Sequence, residues 1–577
     1  MNKKILLLIL LVASALTHAQ VRVERIAQAP VDEWFYGIAD PRNRWLPDAD
    51  IGKETTVPSG ALAKRNGGYV WAMTSTGDNL WFSTLSNGWC GWMMVTGQFM
   101  PSRNSRWACE TFRSSYPDNA KTDTRLPWPD GATIVQADWR RPSIHRLNAT
   151  TGEFFRIESD NPTFQTMVDR SFGFRAAGSA NGVVFMASNP LVHSDKSVYV
   201  LAFDGKSGEF IDGVQLENYI NVRRFRTVTH ADGSEAMYVF VGSEMHSSTH
   251  PNHLLRWVGS PEAPFKGTGT ATGFKVVGDL GNAGSGAELI EYEGRFVLTT
   301  WGSENVPAGL YQTSPFPDGG FTSEQPASFG KLFDAADFDP DPVIARSWLI
   351  GALEEFNGYI YWGTMFPNGQ GFQQLSMDSP SLLFNAREAI IKAHRSTHLF
   401  RTDLRDENKP KTELLYGKEK LWAYNGEWTE KVNLLGAPPL FGDAGFGAYF
   451  NDYTWTMVKY RDSLYLGTFD VSGGMLAIRD ETDCQLSCFV LRTLSEHSDL
   501  SKEVPGFDLY RFDSTDRPAV PVTLDGFGNP ANNGVRNALV VGEDLYIGSS
   551  TYSNIDTDQG GWELLKLTAP PLKEMAQ

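Results

Sequence analysis

Arginine and tryptophan recur at one position of a sequence pattern that returns along the chain. The residues at this position are Trp71, Arg175, Ala287, Gly351, Trp455 and Arg536, with Arg224 or Arg226 in a copy that has a longer turn. A guanidinium binds a carboxylate or sulfate through two parallel hydrogen bonds, and an indole offers a flat apolar face to a sugar ring. If the fold brings these positions together, they predict a binding site for an acidic sugar.

The same residues also have a structural interpretation. Trp71 and Trp455 could pack neighbouring sheets against each other, and the arginines could form ion pairs with acidic side chains between sheets. The sequence leaves both interpretations open.

A second group of candidates lies in the segment Met245–His253, where His246 and His250 have the spacing of a metal-binding pair on a helix. Ser, Thr, Pro and Asn surround them and favour an exposed loop instead. A histidine beside an arginine suits β-elimination from a uronic acid, because the arginine neutralises the carboxylate while a histidine or tyrosine removes the α-proton. The catalytic candidates for this reaction are His250, His246, Tyr453 and Arg224, with Tyr552 as a further partner.

Two acidic clusters could bind Ca²⁺, the one cofactor that the sequence predicts. Asn554, Asp556 and Asp558 alternate as ligands do in a calcium loop, but the glycine and the distal glutamate of an EF-hand are missing. A second cluster consists of Asp334, Asp337, Asp339 and Asp341. Solvated loops are the alternative for both.

The position that carries arginine and tryptophan belongs to a β-hairpin pattern, in which two alternating apolar runs flank a tight polar turn. The copies are Tyr69–Thr84, Phe174–Ser188, Arg224–Ser243, Ala287–Thr300, Trp348–Thr364, Tyr453–Thr468 and Val535–Ser549. Third strands are predicted at Ile144–Leu147, Val198–Leu201, Leu254–Trp257, Leu399–Thr402, Leu509–Phe512 and Leu564–Leu567, and fourth strands at Glu153–Ile157 and Phe274–Val277. The fold class is therefore all-β, a seven-bladed β-propeller of four-stranded blades.

One amphipathic helix is predicted within this β pattern. It spans Ser381–His394, follows Ser379-Pro380, and forms an insertion in blade 5. Residues 91–141 and 469–505 are further long insertions. Insertions in repeat proteins gather on the binding face.

In organisation the repeat resembles Kelch- and WD40-like propellers, although the Gly-His and Trp-Asp signature of the WD40 family is absent. It is also similar to a group of secreted bacterial propellers whose blades begin Asn-x-Tyr-x-Trp-x-Met and end Gly-Thr, as in Tyr453–Thr468. The resemblance covers residues 66–567 and implies the fold and a secreted location. Some ulvan lyases are similar in fold alone.

The chain's start and composition predict its compartment. Lys3 and Lys4 precede the apolar run Ile5–Val12, so residues 1–19 are predicted to be a signal peptide cleaved near Ala19, with a periplasmic or extracellular product. Residues 20–65 form an N-terminal extension and residues 66–577 a single propeller domain. The cysteines at 90, 109, 484 and 488 are predicted to pair as Cys90–Cys109 and Cys484–Cys488, although three pairings are possible in principle.

Charge and motifs limit the functions to consider. The net charge of −17 opposes binding to nucleic acid or to anionic membranes. The expected partner is an acidic glycan or another anionic ligand, and the expected state is a monomer. The main hypothesis is recognition of an acidic polysaccharide, with cleavage as a polysaccharide lyase if the protein is an enzyme. The alternatives are a non-catalytic glycan- or protein-binding propeller and a metal- or quinone-dependent oxidoreductase or lactonase.

Overall fold

The computed structural model describes residues 21–37, 40, 42–46, 51, 56–88, 139–191, 195–242, 251–303, 305–406, 409–479, 489–555 and 558–570. The predicted signal peptide, the four cysteines, His246, His250 and Asp556 lie outside these residues.

Antiparallel β-strands dominate the described residues and form seven four-stranded sheets, here named I to VII. Sheet I comprises Gly67–Thr76, Asn79–Ser86, Ile144–Asn148 and Phe154–Arg156. Sheet II comprises Ser171–Ala180, Val183–Pro190, Ser197–Asp204 and Phe210–Glu217. Sheet III comprises Asn221–Thr229, Glu235–Gly242, His253–Trp257 and Phe274–Asp279. Sheet IV comprises Gly286–Tyr292, Arg295–Thr300, Gly309–Thr313 and Phe329–Asp334. Sheet V comprises Leu349–Phe356, Tyr359–Met365, Leu399–Asp403 and Lys411–Tyr416. Sheet VI comprises Asn451–Tyr460, Ser463–Asp470, Leu509–Phe512 and Val520–Thr523. Sheet VII comprises Asn532–Val541, Asp544–Thr551, Glu563–Thr568 and Arg22–Gln28.

The first strands of the sheets lie side by side. Each contacts the first strand of the next sheet, and that of sheet VII contacts that of sheet I. Single β-bridges join neighbouring sheets where the second strand of one sheet ends and the first strand of the next begins. Examples are the bridges of Ser550 with Tyr69 and of Leu85 with Gly173. Residues hundreds of positions apart in the chain therefore become neighbours along the first strands.

The last sheet is completed by the beginning of the described chain. Arg22–Gln28 pairs antiparallel with Glu563–Thr568, and Ala29 donates its N–H to the carbonyl of Trp562. A small three-stranded sheet follows, made of Glu33–Phe35, Arg44–Trp45 and Leu62–Lys64. A two-stranded sheet of Lys420–Tyr424 and Trp428–Val432 lies after sheet V.

The predicted hairpin turns are confirmed. Asn181-Gly182 and Asn357-Gly358 form two-residue loops in which all four residues have positive φ, as the type I′ turn requires. The longer turn predicted for the third copy lies between Thr229 and Glu235. All the predicted third and fourth strands are present as well.

The small residues that end each predicted hairpin allow neighbouring sheets to approach closely. A Cβ on Gly467 would lie 2.3 Å from Val535 of the next sheet, and one on Gly548 would lie 2.4 Å from Val70. Gly363 meets Thr454 in the same way. Glycine is therefore required by packing between sheets rather than by φ.

We expect Gly467→Ala to lower the free energy of unfolding by about 1–3 kcal/mol, because the added methyl group overpacks a close contact between sheets VI and VII. Urea denaturation followed by circular dichroism measures this. Gly330→Ala is the matched control, since Gly330 lies in an outer strand with no atom within 4 Å of its added Cβ. Equal stabilities of the two variants would contradict the packing argument.

Six α-helices lie within the described residues: α1 Pro162–Asp169, α2 Pro342–Ala345, α3 Gln370–Asp378, α4 Ala386–Ala393, α5 Ser472–Arg479 and α6 Phe489–His497. The predicted helix Ser381–His394 is helical in two parts, the 3₁₀ segment Pro380–Asn385 and then α4. Helices α3 and α4 connect the second and third strands of sheet V, and α5 and α6 connect those of sheet VI. None of the helices in the described part of the chain has the length and apolar character needed to cross a membrane.

Candidate functional site

A β-bulge interrupts the first strand of every sheet I to VII, at the position that the sequence pattern singled out. The residues left between the regularly paired positions are Trp71, Arg175, Arg223 with Arg224, Ala287 with Glu288, Gly351 with Ala352, Trp455 and Arg536. A bulge changes the direction of the side chain that it carries. Here the bulges bring arginines of three sheets together.

Arg175 and Arg223 both lie against one indole. The guanidinium carbon of Arg175 is 4.7 Å from the ring centroid of Trp301, and that of Arg223 is 4.3 Å from it. Arg175 also donates from Nη1 to Asn221 Oδ1 at 2.8 Å. Trp301 thus links sheets II, III and IV through cation–π contacts.

Among the described residues, one carboxylate forms ion pairs with these arginines. Glu288 Oε2 accepts a 2.7 Å hydrogen bond from Arg224 Nε, while Glu288 Oε1 is 3.6 Å from Arg223 Nη2. Arg223 Nε and Nη2 are buried without a hydrogen-bond acceptor among the described residues. Burial lowers the pKa of Arg223 to about 10.

Arg536 comes from sheet VII and completes the group. It is 5% exposed, its guanidinium carbon lies 5.3 Å from the ring centroid of Trp455, and no described residue forms a hydrogen bond or an ion pair with its guanidinium. Burial lowers its pKa to about 9, the positive charge of Arg223 contributes to this effect, and the carboxylate of Glu288 opposes it. Arg536 and Arg223 are therefore close enough to repel each other, although 312 positions separate them in the chain.

We call Arg175, Arg223, Arg224, Arg536, Glu288 and Trp301 the central arginine cluster. It contains four guanidinium groups and one carboxylate. Trp301 Nε1 adds a further buried donor that has no acceptor in the described part of the chain. An excess of buried positive charge and of unsatisfied donors is energetically unfavourable unless a counter-charge and acceptors balance it.

Trp71 and Trp455 pack sheets together in equivalent ways. A Cβ added to Gly173 would lie 2.7 Å from the Trp71 ring, and one added to Gly534 would lie 2.4 Å from the Trp455 ring. Both tryptophans are buried, and each also lies beneath an arginine of the cluster, Arg175 or Arg536. Their geometry supports the arginines and agrees with the packing interpretation.

The other predicted site residues lie elsewhere or have other contacts. Arg226 is paired regularly with Tyr238 in sheet III and is exposed, so it lies outside the bulge. The Tyr453 ring stacks on Phe469 at 4.8 Å, and burial raises its pKa well above 10. His253 accepts or donates a 2.7 Å hydrogen bond with the hydroxyl of Tyr219.

The calcium candidates bond to protein groups where they are described. Asn554 Nδ2 donates to Asn87 Oδ1, and the Asp558 carbonyl accepts from Arg25. In the second cluster, Asp339 binds Arg395 and Trp348, and Asp341 caps α2. No group of three metal-ligating side chains occurs within the described ranges.

Three members of the cluster, Arg223, Glu288 and Trp301, were not predicted from the sequence. Arg223 was missed because the bulge of sheet III contains two residues, Arg223 and Arg224. The equivalent positions were found by counting back from the end of each hairpin, and that count does not allow for the extra residue. Glu288 follows the predicted Ala287 for the same reason. Trp301 lies just after the second strand of sheet IV, where only its position after Thr299-Thr300 marks it.

Solved structures with some similarity to this chain include β-propeller proteins. The polysaccharide lyase Uly1 is 7% identical, with a TM-score of 0.39 over 95% of this chain and 99% of that one. The β-propeller domain of the trilobed protease from Pyrococcus furiosus is 10% identical, with a TM-score of 0.30 over 69% of this chain and 83% of that one. A puromycin-hydrolysing peptidase of Mycobacterium tuberculosis is 9% identical, with a TM-score of 0.36 over 83% of this chain, which spans only 48% of the peptidase. No protein-family model and no curated protein matches the chain.

Proposed function

We propose that sheets I to VII are the blades of a secreted seven-bladed β-propeller, with α3 and α4 as the insertion in its fifth blade, and that the central arginine cluster binds acidic groups of a polysaccharide. The observation that carries the binding proposal is Arg536, a buried guanidinium without a hydrogen-bond or ion-pair partner among the described residues.

An anionic ligand explains an arrangement that is otherwise unfavourable. A buried charge is stabilised only by a counter-charge and hydrogen bonds, and the two buried guanidinium groups, those of Arg223 and Arg536, share one carboxylate, which also pairs with the partly exposed Arg224. Carboxylate and sulfate groups match the forked donors of arginine. A polysaccharide offers such groups in a repeated, covalently linked form.

Cleavage by β-elimination is the second candidate activity. Arg536 lies close enough to Tyr69 for its charge to lower the pKa of that hydroxyl, although burial raises the pKa overall. An arginine that neutralises a uronate carboxylate is one part of the arrangement that this reaction needs, and a protonated phenol such as that of Tyr69 could give its proton to the departing oxygen, while the described residues assign no base for the α-proton. Ultraviolet absorbance of an unsaturated uronate product, measured with polygalacturonate, tests turnover separately from binding.

We expect Arg223→Met to weaken binding of polygalacturonate and dextran sulfate about 10- to 100-fold, because a buried charge-assisted hydrogen bond contributes about 1.5–3 kcal/mol. Arg226→Met is the matched control, since Arg226 lies three residues further along the same strand but is exposed. Isothermal titration calorimetry measures both, with uncharged dextran as the ligand control.

Equal loss of affinity in the two variants would show that a diffuse surface charge binds the polymer. Binding that is unchanged in Arg223→Met would refute the central arginine cluster as the site. Dextran binding as tight as that of dextran sulfate would refute recognition of an acidic group.

A further inference from the structure

A cavity lies at one end of sheet VI and is acidic, in contrast to the central arginine cluster. It has a volume of about 430 Å³. The carboxyl groups of Asp470, Asp508 and Glu503 line it, together with the aromatic rings of Phe446, Tyr449 and Tyr510. No arginine of the central arginine cluster is among its lining residues.

The strand ends of sheet VI position these groups. Asp470 ends the second strand, and Asp508 immediately precedes the third. Tyr449 precedes the first strand, while Glu503 lies in the connection that follows α6 and accepts the N–H of Tyr449 at 3.1 Å. The cavity is therefore built by rigid strand ends on one side and by an insertion on the other.

Two of the carboxyl groups are deeply buried, and only one oxygen of each accepts hydrogen bonds from described residues. Asp508 is 5% exposed and accepts hydrogen bonds through Oδ2 from Asn451 and Tyr510, at 2.6 and 2.9 Å. Asp470 is 3% exposed and accepts through Oδ1 from the backbone and hydroxyl of Ser472. The second oxygen of each has no hydrogen-bond partner among the described residues. The buried hydroxyl of Tyr449 also has none there.

No lysine or arginine in the described ranges forms an ion pair with these three acids. Lys502 lies at the rim and pairs with Asp499 at 2.9 Å. The other titratable groups facing the cavity are His497 of α6, Tyr510 in the third strand and, behind them, Asp452, Asp525 and Tyr416. Among the described residues the cavity is thus an acidic site with apolar walls.

We propose that this cavity binds an organic cation, a protonated amine of small-molecule size. Carboxylate oxygens accept the ammonium hydrogen bonds, while the Phe446 and Tyr510 rings, stacked at 4.2 Å, and Tyr449 provide aromatic surface for its carbon skeleton. An organic cation fits better than a bare metal ion, because the described residues contain no group of three metal ligands. This site is independent of the proposed polysaccharide site.

The pKa values support a coupled uptake of the cation and release of a proton. Burial raises the pKa of Asp508 to about 6, raises that of Glu503, and, with the charge of Asp508, raises that of Asp470 well above its usual range. A cation binds the ionised form, so affinity should increase as the pH rises through about 6.

Calorimetric titration of the full-length protein with benzylamine tests the proposal, with benzyl alcohol as the uncharged analogue. We expect one benzylamine per chain, binding at least about 10-fold tighter than the alcohol, and a loss of about 10-fold or more in Glu503→Gln. Glu496→Gln is the control variant and should bind normally, because Glu496 lies on α6 outside the cavity lining and its carboxylate pairs with Arg387 on the surface. Circular dichroism confirms that the variants are folded.

Four outcomes would overturn the proposal. They are benzyl alcohol binding as tightly as benzylamine, no binding of benzylamine, an affinity unchanged by Glu503→Gln, and Ca²⁺ alone binding the same residues more tightly than benzylamine does. The last outcome would assign the cavity to a metal ion.

Discussion

Arg536→Met is expected to make the protein more stable and to weaken its binding of acidic polysaccharide. The guanidinium of Arg536 is a buried charge that has no hydrogen-bond or ion-pair partner in the described structure, and the charge of Arg223 lies close to it. The substitution removes this unfavourable charge. Replacement of buried charges by apolar residues of similar volume is neutral or stabilising by about 1–4 kcal/mol. Affinity for polygalacturonate should fall about 10- to 100-fold at the same time.

Urea denaturation and calorimetric titration measure the two effects on the same samples. Arg387→Met is the control, because Arg387 is 57% exposed and forms a surface ion pair with Glu496. We expect it to change stability by less than about 1 kcal/mol and to leave binding intact. A loss of stability in Arg536→Met would contradict the argument, since it would show that the guanidinium stabilises the empty protein.

Saturating polygalacturonate should reverse the order of stability. The ligand binds the folded wild-type protein and stabilises it by mass action, whereas the Arg536→Met protein gains little. The wild-type protein should therefore be the less stable of the two without ligand and should recover or exceed the variant's stability with it. Such a crossing distinguishes a binding arginine from a packing arginine.

Glu33→Gln is expected to lower the free energy of unfolding by about 3–5 kcal/mol. Glu33 is 0% exposed, and its Oε2 accepts from Arg140 Nη2, lies 3.4 Å from Lys64 Nζ and accepts from Asn66 Nδ2 at 2.9 Å. Lys64 is also completely buried. Glutamine keeps the shape but removes the negative charge of Glu33 from beside the buried cations of Lys64 and Arg140.

Asp32 should make this loss depend on pH. Burial raises its pKa to about 6, and the charge of Glu33 contributes to that rise. Without the charge of Glu33 the pKa of Asp32 should fall below about 6, so at pH 6 and above an ionised Asp32 can replace part of the lost charge, and the destabilisation should be larger well below this pH than above it. Urea denaturation on both sides of this pH measures the difference.

Glu388→Gln is the control for Glu33→Gln, since the Glu388 side chain is 40% exposed and pairs with Lys392 one turn further along α4. Its expected effect is below about 0.5 kcal/mol. A loss of similar size in Glu33→Gln would mean that the buried ion pair contributes no more than a surface pair does.

Local patterns were enough to predict most of the strands. Alternation of apolar residues marks the first and second strands, and Asn181-Gly182 and Asn357-Gly358 mark the turns, because strand faces and tight turns depend on residues that are close in the chain. The equivalence of Trp71, Arg175, Trp455 and Arg536 was also visible there, since each occupies the same place in a repeated unit. The helix predicted at Ser381–His394 was correct only in its second half, because Pro380 and Ser381 begin a 3₁₀ segment instead.

Only the tertiary structure decided which charges meet. A bulge of two residues brings Arg223 into the cluster and leaves Arg226 exposed, and a bulge depends on pairing with the neighbouring strand. The repulsion between Arg223 and Arg536, the place of Trp301 between two arginines, and the acidic cavity beside Asp508 all arise from contacts between distant segments. The sequence by itself determined the repeated sheets and the residue types that they carry. How deeply each charge is buried, and whether another charge lies beside it, depends on how the sheets pack, because both the desolvation and the interaction of charges are properties of their surroundings in space.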